Sequence, residues 1–173
     1  KEKHFLTKEQ ISQIINSVEN KQHKVMAMIQ YNTGTRASEV ITIERRRIKK
    51  ERYVEDGIEK ERIVINVQGK GDNPRYVYLL PDFWPHIEPY YKQARKYLFI
   101  DEPPGYSFNP IPYFEFWNKV ETVYRRYYES LRNAAHQAGF NISTHDLRRS
   151  FANNLRNVGM DIYQVQQALG HKR

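Results

Sequence analysis

A histidine and an arginine three residues apart, His145 and Arg148, are the residues of this sequence best suited to phosphate chemistry. This spacing places both side chains on one side of a first helical turn. A second histidine, His171, follows Gly170. Cationic donors gathered in this way can grip one phosphate and stabilise the charge that grows on it during a reaction. We therefore expect phosphoryl chemistry on a nucleic-acid backbone.

The composition is compatible with a nucleic-acid partner. The 173 residues carry a formal charge of +8 and a pI near 9.6, which favours polyanions but determines no fold. Cysteine is absent, so disulfides and thiolate metal sites are excluded. The sequence has no apolar run of membrane-spanning length and no signal-peptide pattern. We expect a soluble cytoplasmic protein without a membrane partner.

The first third of the chain predicts helices that lead to another candidate, Arg36. Thr7 and Gln10 form a capping-box pattern ahead of apolar residues at helical spacing. A second helix is predicted to end at residues 32–34, because Gly tolerates the left-handed geometry of a helix terminus. Arg36 and Glu39 then follow, close enough to share a short helix. A solvated ion pair within that helix explains them as well as a functional role does.

The middle of the chain predicts a small antiparallel sheet. Residues 62–67 and 75–80 alternate in character, are rich in β-branched and aromatic types, and flank the turn-forming residues 69–74. Residues 53–55 can add a third strand. Lys70 lies at the predicted hairpin tip, where its long side chain can reach a neighbouring groove, although an exposed turn lysine is the commoner case. The basic residues that precede the sheet are candidate phosphate contacts: Arg45, Arg46, Arg47, Lys49 and Lys50.

The second half of the chain predicts three helices after a loop. Residues 101–110 have the Pro, Gly and Asn density of a surface loop. Apolar residues at helical spacing predict one long helix between residues 113 and 138. Residues 145–157 form the next predicted helix, which carries His145 and Arg148. A final helix is predicted between residues 161 and 170.

Taken together, four motifs resemble the catalytic domain of tyrosine recombinases, the phage-integrase family. They occur in the family's order: Thr33-Gly34-Thr35-Arg36-Ala37-Ser38-Glu39, Gly69-Lys70-Gly71, His145-Asp146-Leu147-Arg148-Arg149-Ser150-Phe151-Ala152 and Leu169-Gly170-His171. The resemblance covers nearly the whole chain. It implies a mainly helical α+β fold, a helical bundle with a small three-stranded antiparallel sheet, in a single catalytic domain over residues 1–173.

The resemblance also implies a mechanism that needs no metal and no other cofactor. A tyrosine attacks a DNA phosphodiester, leaves a 3′-phosphotyrosyl link and frees a 5′-hydroxyl. Arg36 and Arg148 would clamp the non-bridging oxygens of the phosphate. Lys70 would protonate the leaving 5′-oxygen, and His145 would support proton transfer or hydrogen-bond the phosphate. His171 would donate a further hydrogen bond to a non-bridging oxygen.

The other site residues have supporting roles in this resemblance. Glu39 would orient the arginines, Asp146 would support the start of its helix, and Arg149 joins the expected DNA contacts. The family's nucleophilic tyrosine lies downstream of the Gly-His motif, and none of the chain's 13 tyrosines occupies that place. We therefore expect this stretch to be inactive alone and to lack both the core-binding domain and the nucleophile segment.

Two alternatives to a recombinase or integrase catalytic domain stay open. One is a catalytically incompetent, recombinase-like DNA-binding protein with a regulatory role. The other is a metal-dependent nuclease using His145, His171 and Asp146, which is disfavoured because the arginine pair would repel a cation. The expected partner is double-stranded DNA, with a tetramer of the full-length protein on DNA and a monomer for this stretch. The sequence does not specify the target site or the biological outcome.

Overall fold

The computed structural model describes residues 6–68, 73–101, 112–143, 145–157 and 159. The described residues form the mainly helical α+β architecture that the sequence predicts, with one three-stranded antiparallel sheet. The helices are α1 (Lys8–Ser17), α2 (Lys21–Thr33), α3 (Ala37–Ile41), α4 (Trp84–Gln93), α5 (Tyr113–Gln137) and α6 (Asp146–Asn157). The strands are β1 (Ile48–Glu55), β2 (Ile58–Val67) and β3 (Arg75–Leu79).

The chain divides into two compact units, which we name the helical unit and the sheet unit. The helical unit comprises Lys1–Ala37 and Arg125–Arg173, and the sheet unit comprises Ser38–Tyr124. The predicted loop beyond Asp101 and the predicted final helix with His171 lie outside the described residues. Over the part of the chain that is described, no helix has the length and apolar character needed to cross a membrane.

The helical unit begins with the predicted capping box. Thr7 Oγ1 accepts a hydrogen bond from the backbone N–H of Gln10 at 3.1 Å, and Gln10 Oε1 accepts one from the N–H of Thr7 at 2.9 Å. Each contact satisfies an N–H that has no partner within the helix. The helix then buries Ile11, Ile14 and Ile15. These observations confirm the predicted start and the apolar face of α1.

Helix α2, the part of α5 from Arg125 onward, and α6 build the rest of the helical unit. Helix α2 ends at Gly34, which adopts the left-handed conformation with φ 71°, as predicted from the tolerance of glycine. It packs against α6. Helix α5 is attached to it through Tyr127, whose hydroxyl donates to Gln30 Oε1 at 2.7 Å in the interior. These contacts fix the helices that carry the predicted site residues of this unit.

The sheet unit contains the predicted hairpin and a longer first strand than expected. The strand order is β1-β2-β3, and Asp56 (φ 53°) and Gly57 (φ 76°) form the turn between β1 and β2. Positive φ at both positions matches the twist of a two-residue hairpin. Strand β1 begins at Ile48 rather than at residue 53. Its first residues are mostly charged, so no apolar alternation marks them, and pairing with β2 holds them in the strand, as in the 2.7 Å contact between Arg62 and Glu51.

Candidate functional site

Arg148 is anchored at the carboxyl end of α2. Its side chain is buried, and its Nη1 donates to the carbonyl oxygen of Gly34 at 3.0 Å. Burial of a charged group is costly without hydrogen bonds, and the carbonyls at a helix C-terminus are acceptors that carry partial negative charge. The neighbouring Leu147 is also buried and sets the inward face of α6. The position of this arginine is therefore fixed by backbone and core contacts together.

The backbone that leads to Arg36 is held by hydroxyl contacts. Thr33 Oγ1 donates to the carbonyl of Ile29 at 2.7 Å and lies 2.9 Å from Thr35 Oγ1. Thr35 is completely buried, and Arg36 is half-buried. The structure thus brings Arg148 against Gly34, two residues before Arg36 in the chain. The two arginines of the predicted phosphate clamp lie on segments that are in direct contact.

A second contact joins α6 to α2, about two turns farther along α6 and one turn back from the end of α2. Asn154 Nδ2 donates to the hydroxyl of Tyr31 at 3.1 Å, and Ser150, on the same helix, is buried. With the bond from Arg148 to Gly34, α6 is attached to the end of α2 at two points. This double attachment limits rotation of α6 about its own axis, which would otherwise move Arg148.

His145 and Asp146 lie at the start of α6. The His145 side chain is exposed, and its carbonyl oxygen accepts from the N–H of Arg149 at 2.9 Å. Asp146 Oδ2 accepts from the N–H of Ser143 at 2.6 Å, and its Oδ1 lies 3.3 Å from Arg149 Nη1. A carboxylate in a first turn is favoured by the helix dipole. Asp146 thus stabilises the turn that presents His145 to solvent.

In the sheet unit, Glu39 pairs with an arginine that the sequence analysis did not select. Glu39 is completely buried, and its Oε2 accepts from Nη1 of Arg75, whose side chain is 13% exposed. The interpretation of Glu39 as part of a solvated pair is therefore wrong. Arg75 lies on the face of β3 that also carries the buried Val77 and Leu79. An arginine on the inward face of a predicted strand was the signal that could have identified it.

The basic run before the sheet is attached to its neighbours to different degrees. Arg45 donates from Nε to the carbonyl of Tyr91 at 2.8 Å, with its guanidinium 4.4 Å from the Tyr91 ring centroid. Glu44 accepts from both Arg46 and Arg47, at 3.0 and 2.9 Å. The side chain of Arg46 nevertheless remains 73% exposed. Lys49 and Lys50 are exposed residues of β1, and the Lys50 ammonium lies 5.3 Å from the Trp84 ring.

Two of the predicted catalytic residues, Lys70 and His171, lie outside the described residues. Within the described ranges, no three His, Asp or Glu side chains form a metal-binding group. A cleft of about 480 Å³ is present in the helical unit, and none of the predicted catalytic residues lines it. Its polar lining includes Glu19, Asn20, Ser130 and His136.

Known proteins with similar sequences include tyrosine recombinases. Tyrosine recombinase XerC of Lactobacillus delbrueckii subsp. bulgaricus is 28% identical over 179 residues, which are 97% of this chain and 54% of the relative. The chain therefore spans about half the length of the curated relatives it matches. The model of the phage integrase family matches residues 4–173.

Solved structures share the fold. The XerH site-specific recombinase bound to difH substrate superposes with a TM-score of 0.66 at 20% identity, covering 98% of this chain and 48% of that one. The catalytic domain of bacteriophage HP1 integrase gives a TM-score of 0.63 at 20% identity, covering 99% of this chain and 83% of that one. At such identities the likeness concerns the fold. Because the family model matches nearly every residue, the chain belongs to the phage integrase family.

Proposed function

We propose that this chain is the catalytic domain of a site-specific DNA recombinase or integrase that cuts and rejoins strands through a 3′-phosphotyrosyl intermediate. The contact between Arg148 and Gly34 carries the proposal. It places the arginine of the His-x-x-Arg motif against the segment that leads to Arg36. Two planar guanidinium groups on adjoining segments suit the paired hydrogen bonds that a phosphate in reaction requires.

The proposed reaction uses five residues of this chain. Arg36 and Arg148 donate to the non-bridging oxygens, where negative charge builds up as the nucleophile attacks. The bond between the tyrosine oxygen and phosphorus forms while the bond from phosphorus to the 5′-oxygen breaks. Lys70 gives a proton to that departing oxygen. His145, exposed at the start of α6, supports proton transfer or hydrogen-bonds the phosphate, and His171 donates a hydrogen bond to a non-bridging oxygen.

The nucleophile is proposed to come from outside these 173 residues. No tyrosine follows Gly170-His171 in the sequence, which is where the family places it. Residues 1–173 would then act as one catalytic domain that is inactive alone and cooperates with a core-binding domain. The XerH recombinase, whose fold is similar, is bound to its difH substrate. By this likeness we propose double-stranded DNA as the partner. From the resemblance to the family we further propose a tetramer of the full-length protein on DNA and a cytoplasmic location.

The test is covalent trapping with the protein encoded by the complete reading frame. Its binding site is first selected from random-sequence duplex DNA and then built into a nicked suicide substrate. We expect a protein–DNA adduct that survives denaturation and is abolished by Arg148→Ala. Arg132→Ala is the matched control, because Arg132 is an exposed arginine of the same unit and its loss removes the same charge.

Absence of an adduct on the selected site would overturn the catalytic proposal. Tight, site-selective binding without an adduct would instead support the alternative, a recombinase-like DNA-binding protein with a regulatory role. The reading frame separates the two as well. A tyrosine codon within about a dozen codons after Arg173 favours the recombinase, and a stop codon directly after it favours the binding protein.

A further inference from the structure

The first two strands of the sheet continue beyond their pairing with the third. Strand β3 pairs with residues 63–67 of β2, whereas β1 and β2 remain paired as far as Glu55 and Ile58. Residues 51–62 therefore form a two-stranded extension, which we name the arm. Each of its side chains is exposed or half-buried. Because a two-stranded ribbon is marginally stable by itself, the arm depends on contacts at its base.

Arg62 braces the base of the arm. Its guanidinium lies between the rings of Tyr53 and Tyr78, 4.2 and 4.3 Å from their centroids. Its Nε donates to Glu51 Oε2 at 2.7 Å. Because Tyr78 belongs to β3, this stack joins the arm to the three-stranded part of the sheet. An arm held in one shape in this way loses little conformational entropy when it binds a partner.

The tip of the arm exposes two apolar side chains. Val54 is 70% exposed and Ile58 is 60% exposed, and they flank the turn at residues 56–57. Ile58 is paired with Glu55, the neighbour of Val54, so the two apolar side chains point to opposite faces of the ribbon. A partner that encloses the tip would remove both from water, which favours association.

The charge of the arm is unsuited to a nucleic-acid backbone. Residues 51–62 hold five carboxylates and three basic side chains, so the arm is acidic in a chain of formal charge +8. The basic residues 45–47 precede the opposite end of β1, and the eight residues of that strand span roughly 25 Å. This separation exceeds the Debye length of about 8 Å at physiological salt. The tip therefore repels phosphates and attracts the basic surface of a protein.

We propose that the arm is a docking element whose acidic and apolar tip packs against a basic surface of a second copy of this chain. The second copy is the basic protein that the proposed function brings to the same DNA, and the inference rests on that function. A contact between the arm and a different surface of the next copy is heterologous, and repeated contacts of this type can close a ring. Such a ring fits the proposed tetramer. The apolar side chains supply affinity, and the carboxylates around them supply specificity.

The experiment measures how copies of the full-length protein pair on DNA. Gel-shift titrations use duplexes that carry one or two copies of the site selected for covalent trapping, and we expect the parent protein to fill two sites cooperatively. Ile58→Thr keeps a β-branched side chain in the strand but removes apolar surface. It should reduce the cooperativity by at least about tenfold, the loss typical of an interface residue that carries affinity. Glu59→Gln removes only a charge and should give a smaller loss in the same direction.

Leu80→Thr is the matched control for Ile58→Thr, because Leu80 is 67% exposed in the same unit but lies outside the arm. Glu121→Gln, an exposed change on α5, is the control for Glu59→Gln. Both controls should keep the cooperativity of the parent protein. The arm variants and the controls should all keep the parent's affinity for a single site and its cleavage of a single-site suicide substrate.

Parent-like cooperativity in both arm variants, or a parent protein that fills two sites independently, would overturn the inference. Weaker binding of the arm variants to the single site would overturn it as well, since the arm would then contact DNA. If Ile58→Thr does not fold, Glu59→Gln decides on the same criterion. A parent protein that selects no site from random-sequence DNA would overturn the proposed function itself, and the inference with it.

Discussion

Arg148 on α6 donates to the carbonyl oxygen of Gly34 at 3.0 Å, and Gly34 is the left-handed residue that ends α2. One hydrogen bond thus joins the arginine of one motif to the backbone of another, 114 positions away in the chain. A planar guanidinium can hold a carbonyl and a phosphate oxygen at the same time, in directions fixed by its fork. The hydrogen bond that anchors Arg148 to Gly34 and the hydrogen bonds proposed from Arg148 to the phosphate therefore depend on the same planar group.

Replacement of Arg148 by lysine tests that geometry while keeping the charge. Because an ammonium cannot reproduce the fork, we expect Arg148→Lys to cleave a suicide substrate about 10²- to 10³-fold more slowly, the loss typical of one donor to a transition state. Affinity for DNA should change little, since the positive charge remains. Single-turnover cleavage and fluorescence anisotropy measure the two effects. Parent-like cleavage by the lysine variant would mean that charge alone suffices.

Gly34→Ala changes the residue whose carbonyl oxygen accepts the hydrogen bond from Arg148. Gly34 has φ 71°, and a Cβ in the left-handed region costs about 1–2 kcal/mol. We expect the free energy of unfolding to fall by that amount in urea titrations. Gly57→Ala is the control, because Gly57 has φ 76° in the turn between β1 and β2, with open space around an added Cβ. Both variants should lose at least this backbone cost, but only Gly34→Ala should also slow cleavage.

Local signals determined how far the sequence could predict the fold. The capping box of Thr7 and Gln10 and the left-handed stop at Gly34 depend on neighbouring residues only, so both were predicted correctly. The pairing of Glu39 with Arg75 joins positions 36 residues apart. No local pattern encodes such a partner, and only the alternation of β3 hints that Arg75 points inward.

Strand β1 illustrates the same limit for secondary structure. Its residues Lys49, Lys50, Glu51 and Arg52 lack the apolar alternation of a half-buried strand. They are strand residues because β2 supplies a backbone ladder, with Glu51 opposite Arg62 and Arg52 opposite Glu61. An edge strand of this kind is defined by its partner, so its start at Ile48 could not be predicted from the strand's own sequence.

The buried hydrogen bond between Tyr127 and Gln30 should matter for stability. Both residues are at most 2% exposed, and the Tyr127 hydroxyl donates to Gln30 Oε1 at 2.7 Å. Tyr127→Phe leaves that oxygen without its donor, so we expect a loss of about 1–3 kcal/mol in the free energy of unfolding. The double variant Tyr127→Phe with Gln30→Met should lose less than the two single changes added together. Strict additivity in urea unfolding would contradict a direct coupling.

Stability should depend on pH through His23. Burial, and then the positive charge of Arg126, hold the pKa of His23 below its ordinary value of 6.5. The unfolded chain therefore takes up this proton at a higher pH than the folded chain does. The stabilisation is complete above pH 6.5 and is lost as the pH falls from 6.5 towards the lower folded pKa. One proton corresponds to at most about 1.4 kcal/mol per pH unit.

His23→Gln isolates this contribution from the other histidines. The variant cannot titrate at this position, although it also loses the 2.6 Å contact between His23 Nδ1 and Ser130 Oγ. Because the variant lacks that contact at every pH, the two proteins are compared by their pH slopes and not by their absolute stabilities. We expect urea unfolding between pH 5 and 7.5 to show a smaller acid loss in the variant than in the parent protein. Equal slopes for the two proteins would contradict a lowered pKa.

The basic run should contribute unequally to DNA binding. Lys49 is exposed, and Arg46 is 73% exposed although it contacts Glu44, so both side chains are accessible to a phosphate. Each residue that contacts a phosphate contributes about 0.9 to the slope of log affinity against log salt. We expect Lys49→Ala and Arg46→Ala to reduce the slope by about that amount each.

Arg45 should behave differently, because its guanidinium is stacked on the Tyr91 ring and donates to the Tyr91 carbonyl. Arg45→Ala is expected to lower the melting temperature and to change the slope of log affinity against log salt only slightly. Arg132→Ala, an exposed change on α5 in the helical unit, is the control for charge loss elsewhere and should leave the slope unaltered. Fluorescence anisotropy from about 50 to 200 mM salt covers the range in which phosphate contacts dominate affinity. Identical slopes for Lys49→Ala, Arg46→Ala and the parent protein would mean that this run does not contact the DNA backbone.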